Sequence, residues 1–261
     1  MSTIIEVKDL YFNYDKNIVL DKMSFNIKEG TFVSVIGPNG SGKTTLLKNL
    51  SSILVPTRGS ILFKGKDIRK YKKRELAKCM AYVPQNIATD FEFTVMDIVL
   101  MGRSPYMGLF QSENAKDIQL AIDAMKMTNI LSFKDKKITQ ISGGERQRAI
   151  IACALTQTPE VMLLDEPVSN LDIQHQIEIM GILKKLNRSS NMTVITVLHD
   201  LNLAAEYSDV VMLIKDGALI QSGSPVEVIT SANIAMAYNT NICMTTNPKT
   251  GNLHIIPEYK M

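Results

Sequence analysis

Short apolar runs rich in Val, Ile and Leu recur along the chain, at residues 32–36, 61–63, 80–83, 161–164, 193–198 and 210–215. Runs of this kind, without polar alternation, mark strands buried on both faces. Stretches of helical period alternate with several of them, which predicts an α/β fold on a mostly parallel sheet. Two further stretches, 4–10 and 19–27, the second interrupted at Asp21 and Lys22, read as edge strands of a smaller β region. Asp216-Gly217, between two strand-like runs, predicts a hairpin turn. The helix that begins at Ile173 carries Ile173, Ile177, Met180 and Leu183 on one stripe, with Asp172 placed to cap it. Ser224-Pro225-Val226-Glu227 reads as an N-cap, a proline at N1 and a capping-box glutamate.

From Gln85 to Gln157 the pattern changes: strand-like runs disappear and helical ones take over. Thr94 is placed to cap a helix over 95–101, and Ile118, Ala121, Ile122 and Met125 make another helical stripe. This predicts a helical insertion into the α/β core rather than a domain at one chain end. No linker, internal repeat or low-complexity segment interrupts the chain. The cluster Arg69-Lys70-Tyr71-Lys72-Lys73-Arg74 reads as a solvated helix start rather than a binding patch.

Composition narrows the function classes. Apolar content of 45% and charged content of 21% in 261 residues are those of a globular chain with a sizeable core. A net charge of +3 gives no electrostatic case for a nucleic-acid partner, and none is expected. Cys79, Cys153 and Cys243 are scattered without metal spacing, which fits a reducing compartment. The first residues lack a basic and an apolar region, so no signal peptide is expected. No apolar run approaches the length of a membrane span, so a soluble or peripherally bound chain is expected.

Three segments carry chemistry. Gly37-Pro38-Asn39-Gly40-Ser41-Gly42-Lys43-Thr44 fits the nucleoside triphosphate loop, and it lies between an apolar run and a helix-like stretch, 44–50. Glycines let backbone N–H groups converge on phosphates, the helix start adds positive potential, Lys43 adds a point charge, and the Thr44 hydroxyl can hold Mg²⁺. Val161-Met162-Leu163-Leu164-Asp165-Glu166-Pro167 is an apolar strand that ends in two acids. At the C-terminal edge of a parallel sheet, Asp165 is placed to reach Mg²⁺ through water and Glu166 to orient or deprotonate an attacking water. Ser142-Gly143-Gly144-Glu145 is a capping box whose glycines leave a helix N-terminus bare to an anion. It lacks a lysine-bearing loop of its own, which suggests that it completes another chain's nucleotide site.

These segments together resemble the ATP-binding cassette of an ABC transporter, over about residues 4–228. Gln85 in Tyr82-Val83-Pro84-Gln85 matches the family's Q-loop, Ser142 to Glu145 the signature motif, Asn170-Leu171-Asp172 the D-loop and His199 in Leu198-His199-Asp200 the switch histidine. Tyr14 matches the aromatic that stacks on adenine. Ile141 and Glu145 stand where Leu and Gln are usual, with the local character kept. The resemblance implies a RecA-like P-loop NTPase core with an antiparallel β subdomain and an inserted helical subdomain, 86–157, inside a single nucleotide-binding domain, 1–261. It implies ATP hydrolysis with Mg²⁺, and catalytic roles for Glu166, His199, Gln85 and Lys43. Thr44, Gln85 and Asp165 become the metal-site residues. The nucleotide contacts become Tyr14, Gly37, Pro38, Asn39, Gly40, Ser41, Gly42, Lys43, Thr44 and Thr45, joined by Ser142, Gly143, Gly144, Glu145 and Asp172. Two cassettes are expected to close head to tail on two ATP molecules as a homodimer, each signature motif serving the other chain's site.

A narrower resemblance, in the segment 95–106 with Gly102-Arg103-Ser104-Pro105-Tyr106 and in His199-Asp200-Leu201-Asn202-Leu203-Ala204-Ala205, is to importers of iron-siderophores, haem and cobalamin. It implies integral-membrane permease subunits as partners, an extracellular substrate-binding protein further off, and a peripheral position on the cytoplasmic face of the membrane. Arg103 and Tyr106 are expected near the permease contact, because Gly102 and Pro105 mark an exposed loop. Importers of zinc or manganese share part of this signal, and a soluble ATPase of iron–sulfur assembly stays open as an alternative. Residues 230–261 carry no readable motif, and Tyr238, His254 and Glu258 receive no role.

Overall fold

The computed structural model describes residues 2–85, 92–108 and 111–258. The strands are β1 (Thr3–Tyr14), β2 (Asn17–Lys28), β3 (Phe32–Ile36), β4 (Arg58–Phe63), β5 (Lys66–Asp67), β6 (Met80–Val83), β7 (Val161–Leu164), β8 (Thr193–Val197), β9 (Val210–Lys215), β10 (Ala218–Gly223), β11 (Ile242–Thr246) and β12 (Leu253–Pro257). The helices are α1 (Lys43–Leu50), α2 (Lys73–Cys79), α3 (Val95–Met101), α4 (Ala115–Met127), α5 (Gly143–Thr156), α6 (Ile173–Ser190), α7 (Leu201–Tyr207), α8 (Pro225–Val228) and α9 (Ser231–Tyr238). They fall into two compact units, residues 1–70 with 193–261, and residues 71–192.

In the first unit, β3 lies between β8 and β9 and runs parallel to both. Every residue of β3 and β8 is buried, Ser34, Thr193 and Thr196 included, which explains why neither run alternates apolar with charged positions. β10 returns antiparallel to β9 through Asp216 and Gly217, both at positive φ, the turn that the dipeptide predicts. A second, antiparallel sheet has the order β2-β1-β4-β5. Two expectations are corrected here. The first strand is interior rather than an edge, and residues 61–63 belong to this antiparallel sheet rather than to the parallel one. A three-residue apolar run cannot show its partner's direction. β1 also runs on to Tyr14 through an irregularity between Val7 and Leu10, with Asp9 at φ 44°, which conceals its second half from a period-two reading.

The second unit holds the parallel pair β6–β7 and the helices α2 to α6. Val95, Val99, Ala121, Met125, Ile141 and Ala149 are among the buried residues of one core cluster. Each such side chain gains about 1.5–3 kcal/mol on leaving water if it is large. Thr94 caps α3 with a reciprocal Asp97, as its position predicts, and Asn114 does the same for α4 with Asp117. The helical stripes are partly corrected. On α4 the buried positions are Ala121, Ala124 and Met125, while Ile118 is exposed. On α6 Met180 and Leu183 are buried, yet Ile173 and Ile177 are 75% and 53% exposed. Periodicity finds the apolar face of a helix but not the turn at which that face meets a core.

Nor is the segment around Arg103 the exposed loop that Gly102 and Pro105 predict. Arg103 is buried. Its Nε donates to Asp117 Oδ1 at 2.9 Å, its Nη1 to the Thr156 carbonyl at 2.5 Å, and its guanidinium lies over the Tyr106 ring at 3.8 Å. The half-buried Tyr106 donates to the Gln157 carbonyl at 2.8 Å. Arg74, in the basic cluster, donates to the carbonyls of Pro105 and Met107. The short segment is thus tied down from two sides by cations.

Candidate active site

In the first unit, the chain leaves β3 at Gly37 and enters α1 at Lys43. Gly37 has φ +153°, and a Cβ there would overlap the Ile214 carbonyl oxygen, so the loop can start against β9 only with glycine. Lys43 Nζ is buried and donates to the Gly37 and Pro38 carbonyls at 2.9 and 2.8 Å. The loop thereby encircles its own cation. Ser41 Oγ is buried without a hydrogen-bond partner, the state expected of a group shaped to receive a phosphate oxygen. The hairpin turn braces the loop: Gly217 N–H donates to the Ser41 carbonyl at 3.2 Å and Asp21 N–H to the Gly217 carbonyl at 2.8 Å. No acidic residue occupies the first turn of α1, so its N-terminal potential is unopposed within the helix. Asn39 and Gly40 are exposed, and Thr44 and Thr45 lie in the first turn. Tyr14, at the end of β1, is 46% exposed with its ring edge-on to Phe12 at 4.9 Å, which leaves an aromatic face for a base. His199 is exposed between β8 and α7, and Asp200 caps α7 by accepting from Asn202 and Leu203 N–H.

In the second unit, β7 delivers Asp165 and Glu166 beyond its C-terminal end. Asp165 N–H still donates to the Val83 carbonyl at 2.9 Å, so the ladder holds to that residue. Its buried carboxylate accepts from the Tyr82 hydroxyl at 3.3 Å. Glu166 then turns off the strand with φ +51°, an uncommon conformation for a non-glycine residue, followed by Pro167. Its Oε2 accepts from Gln85 Nε2 at 2.5 Å. The structure thus brings Gln85, Asp165 and Glu166 together at the end of β7. With its amide nitrogen given to Glu166, Gln85 has its amide oxygen left to offer, and with Asp165 it supplies the hard oxygen ligands that Mg²⁺ takes.

Ser142 N-caps α5 in the predicted capping box: Ser142 N–H donates to Glu145 Oε2 at 2.7 Å, and Glu145 N–H to Ser142 Oγ at 3.3 Å. The Ser142 N–H holds the Glu145 carboxyl below the usual range. Ser142 and Gly143 are exposed. Gly144 is buried, for a reason the motif does not reveal: a Cβ on it would overlap the ring of His175. His175 Nδ1 in turn meets Asp172 Oδ1 at 2.8 Å, and His175 N–H donates to the same oxygen at 2.9 Å. The D-loop Asp172 therefore caps α6 as predicted. Tyr82 and His175 are the residues that sequence reasoning missed. His175 is legible as the residue three beyond an Asp N-cap; Tyr82 carries no signal beyond its place three residues before Gln85.

With this geometry in view, known proteins give a consistent picture. A family model described as "ABC transporter" matches residues 20–169. The cobalamin import ATP-binding protein BtuD of Halobacterium salinarum is 37% identical over 239 residues, 92% of this chain, which spans 60% of that relative's length. The ferric enterobactin transport ATP-binding protein FepC of Escherichia coli is 36% identical over 250 residues, 96% of this chain and 92% of its own. Among solved structures, a chain of a transporter assigned to the metal-chelate type, in an inward-facing conformation, has TM-score 0.88 at 29% identity over 99% of both chains. The dimeric cassette MJ0796 has TM-score 0.75 at 30% identity over 85% of this chain and 98% of its own. The family model covers more than half of the sequence, and the fold matches along nearly all of it: the chain belongs to the ABC transporter family, as one of its ATP-binding cassettes.

Proposed function

We propose that this chain is the ATP-hydrolysing subunit of an importer, energising uptake of an iron chelate, haem or cobalamin through a separate membrane permease. The observation that carries the chemistry is the carboxylate pair at the end of β7, with Gln85 hydrogen-bonded to Glu166. Lys43 holds the β- and γ-phosphates, and the backbone N–H groups that follow Pro38, up to Thr44, cradle them. Tyr14 supports the adenine, and the Thr45 backbone extends the cradle. Mg²⁺, held by Thr44, Gln85 and Asp165, would neutralise phosphate charge. Glu166 accepts a proton from the attacking water, and His199 contacts the γ-phosphate. Ser142, Gly143, Gly144, Glu145 and Asp172 face the site of a second copy, so that ATP is enclosed by two cassettes. The cargo class rests on the names of relatives such as the ferric enterobactin and cobalamin import proteins.

Among the described residues, no helix is long and apolar enough to cross a membrane, so coupling runs through a permease. The docking place we propose is an open pocket of about 300 Å³ in the second unit, lined by Tyr106 and the exposed Lys116. Arg103 lines the same pocket but is buried, so it is not the proposed contact. Co-expression with a metal-chelate permease tests the reading. The chain should co-purify with it, its ATPase rate should respond to it, and Lys116→Glu should weaken association while leaving basal ATPase intact. A chain that ignores the permease and instead co-purifies with iron–sulfur assembly proteins overturns the transport reading.

A further inference from the structure

We infer that His175 is a positioning residue that locks the D-loop to the signature motif within one chain. This deepens the proposed function and rests on it. The imidazole lies directly on Gly144, so close that no residue with a Cβ fits beneath it. On its other side it is anchored twice to Asp172 Oδ1, through Nδ1 and through its own N–H, at 2.8 and 2.9 Å. The neighbouring Gln176 fixes the loop before α6, donating to the Val168 and Leu171 carbonyls at 3.3 and 3.0 Å. Leu171 also reaches Gly143, whose added Cβ would lie 3.6 Å from Leu171 Cδ2. One turn further along, Arg148 on α5 pairs with Glu178 on α6 at 2.6 Å.

The loop 168–172 and the start of α5 are therefore one rigid surface, with His175 as the wedge between them. Both segments are proposed to face the second cassette. A surface assembled before closure loses less freedom when the two cassettes meet. Without the ring, Gly143 and Gly144 regain backbone freedom and Asp172 loses one of its two anchors. The deficit then falls on closure over ATP and not on the binding of nucleotide to the phosphate loop of a lone chain.

The test separates those two steps in the full-length chain. ADP affinity reports the phosphate loop alone, and the ATP concentration for half-maximal turnover includes closure. His175→Ala should raise that ATP concentration about two- to thirtyfold, the range of coupling energies of this kind, and leave ADP affinity within twofold. His175→Phe keeps a ring over Gly144 and should restore most of the loss. Unchanged ATP dependence in His175→Ala overturns the inference, and so does a parallel loss of ADP affinity. An Ala defect that Phe does not reduce overturns the wedge as its cause. If wild type itself turns over no ATP, the proposed function fails instead, and wild-type turnover measured first distinguishes the two failures.

Discussion

Arg103 illustrates how much a single side chain's role depends on its surroundings. Its charge is buried and answered by Asp117, by the Thr156 carbonyl and by the Tyr106 face. Removing one member of such a pair strands the other without solvent, which typically costs about 3–5 kcal/mol. Arg103→Glu, which places two carboxylates together, should therefore lower thermal stability rather than act as a clean surface lesion; a wild-type melting temperature would contradict the burial. Arg103 also holds the Asp117 carboxyl below the usual carboxylate range, helped by the Asn114 N–H. A carboxyl with a depressed folded pKa adds stability that is complete above its unfolded pKa, near 4, and lost as pH falls through its folded value. Unfolding free energy should thus drop steeply below about pH 4, and Asp117→Asn should flatten that part of the denaturant-versus-pH profile. At the chemical centre, Glu166→Gln keeps the shape but loses the proton acceptor. Steady-state ATP turnover should fall by about 10²–10⁴-fold with nucleotide binding retained, and near-normal turnover would remove Glu166 from its assigned role.

At the level of elements, the caps are the best-specified features. Thr94, Ser142, Asp172 and Asp200 each cap a helix with a side-chain oxygen. Such signals are local: one side chain satisfies N–H groups two or three residues on, whatever the rest of the molecule does. The hairpin at Asp216-Gly217 is equally local, yet its use is not. It props up the phosphate loop through Gly217 and Ser41, a contact across 176 residues of sequence, from Ser41 to Gly217. The C-terminal hairpin β11–β12 is a comparable case in a segment without motifs. Asn202 on α7 both accepts from Ile255 N–H at 2.7 Å and donates to its carbonyl at 3.1 Å, completing the edge of β12. Asn202→Ala leaves both backbone groups without these partners and should release the hairpin locally, visible as faster amide exchange in residues 253–257 with little change in the parallel strands.

For the whole molecule, the proposed assembly makes a prediction that no single chain can mimic. Lys43→Ala removes the charge at the phosphates, and Ser142→Arg blocks the surface offered to a partner. Each alone should be inactive. Mixed together, some dimers would combine the two lesions in one site and leave the other site intact. Partial recovery of ATPase in the mixture is the expected result; if Ser142→Arg alone abolished nucleotide binding to the monomer, the signature motif would belong to its own chain's site.

What the sequence determined by itself is what depends on short stretches of chain. The limits of β3, β6, β7 and β9, the caps of α3, α5 and α6, the phosphate loop and the acid pair all follow from spacing within a few residues. Tertiary structure alone decided what depends on who lies opposite. It put β1 inside its sheet, sent residues 61–63 to the antiparallel partner, left Ile173 and Ile177 in solvent and buried Arg103. It also set His175 on Gly144. The physical reason is the same in each case: a side chain's type fixes what it can bind, but burial, sheet position and ion pairing are properties of two surfaces, and one strand of sequence contains only one of them.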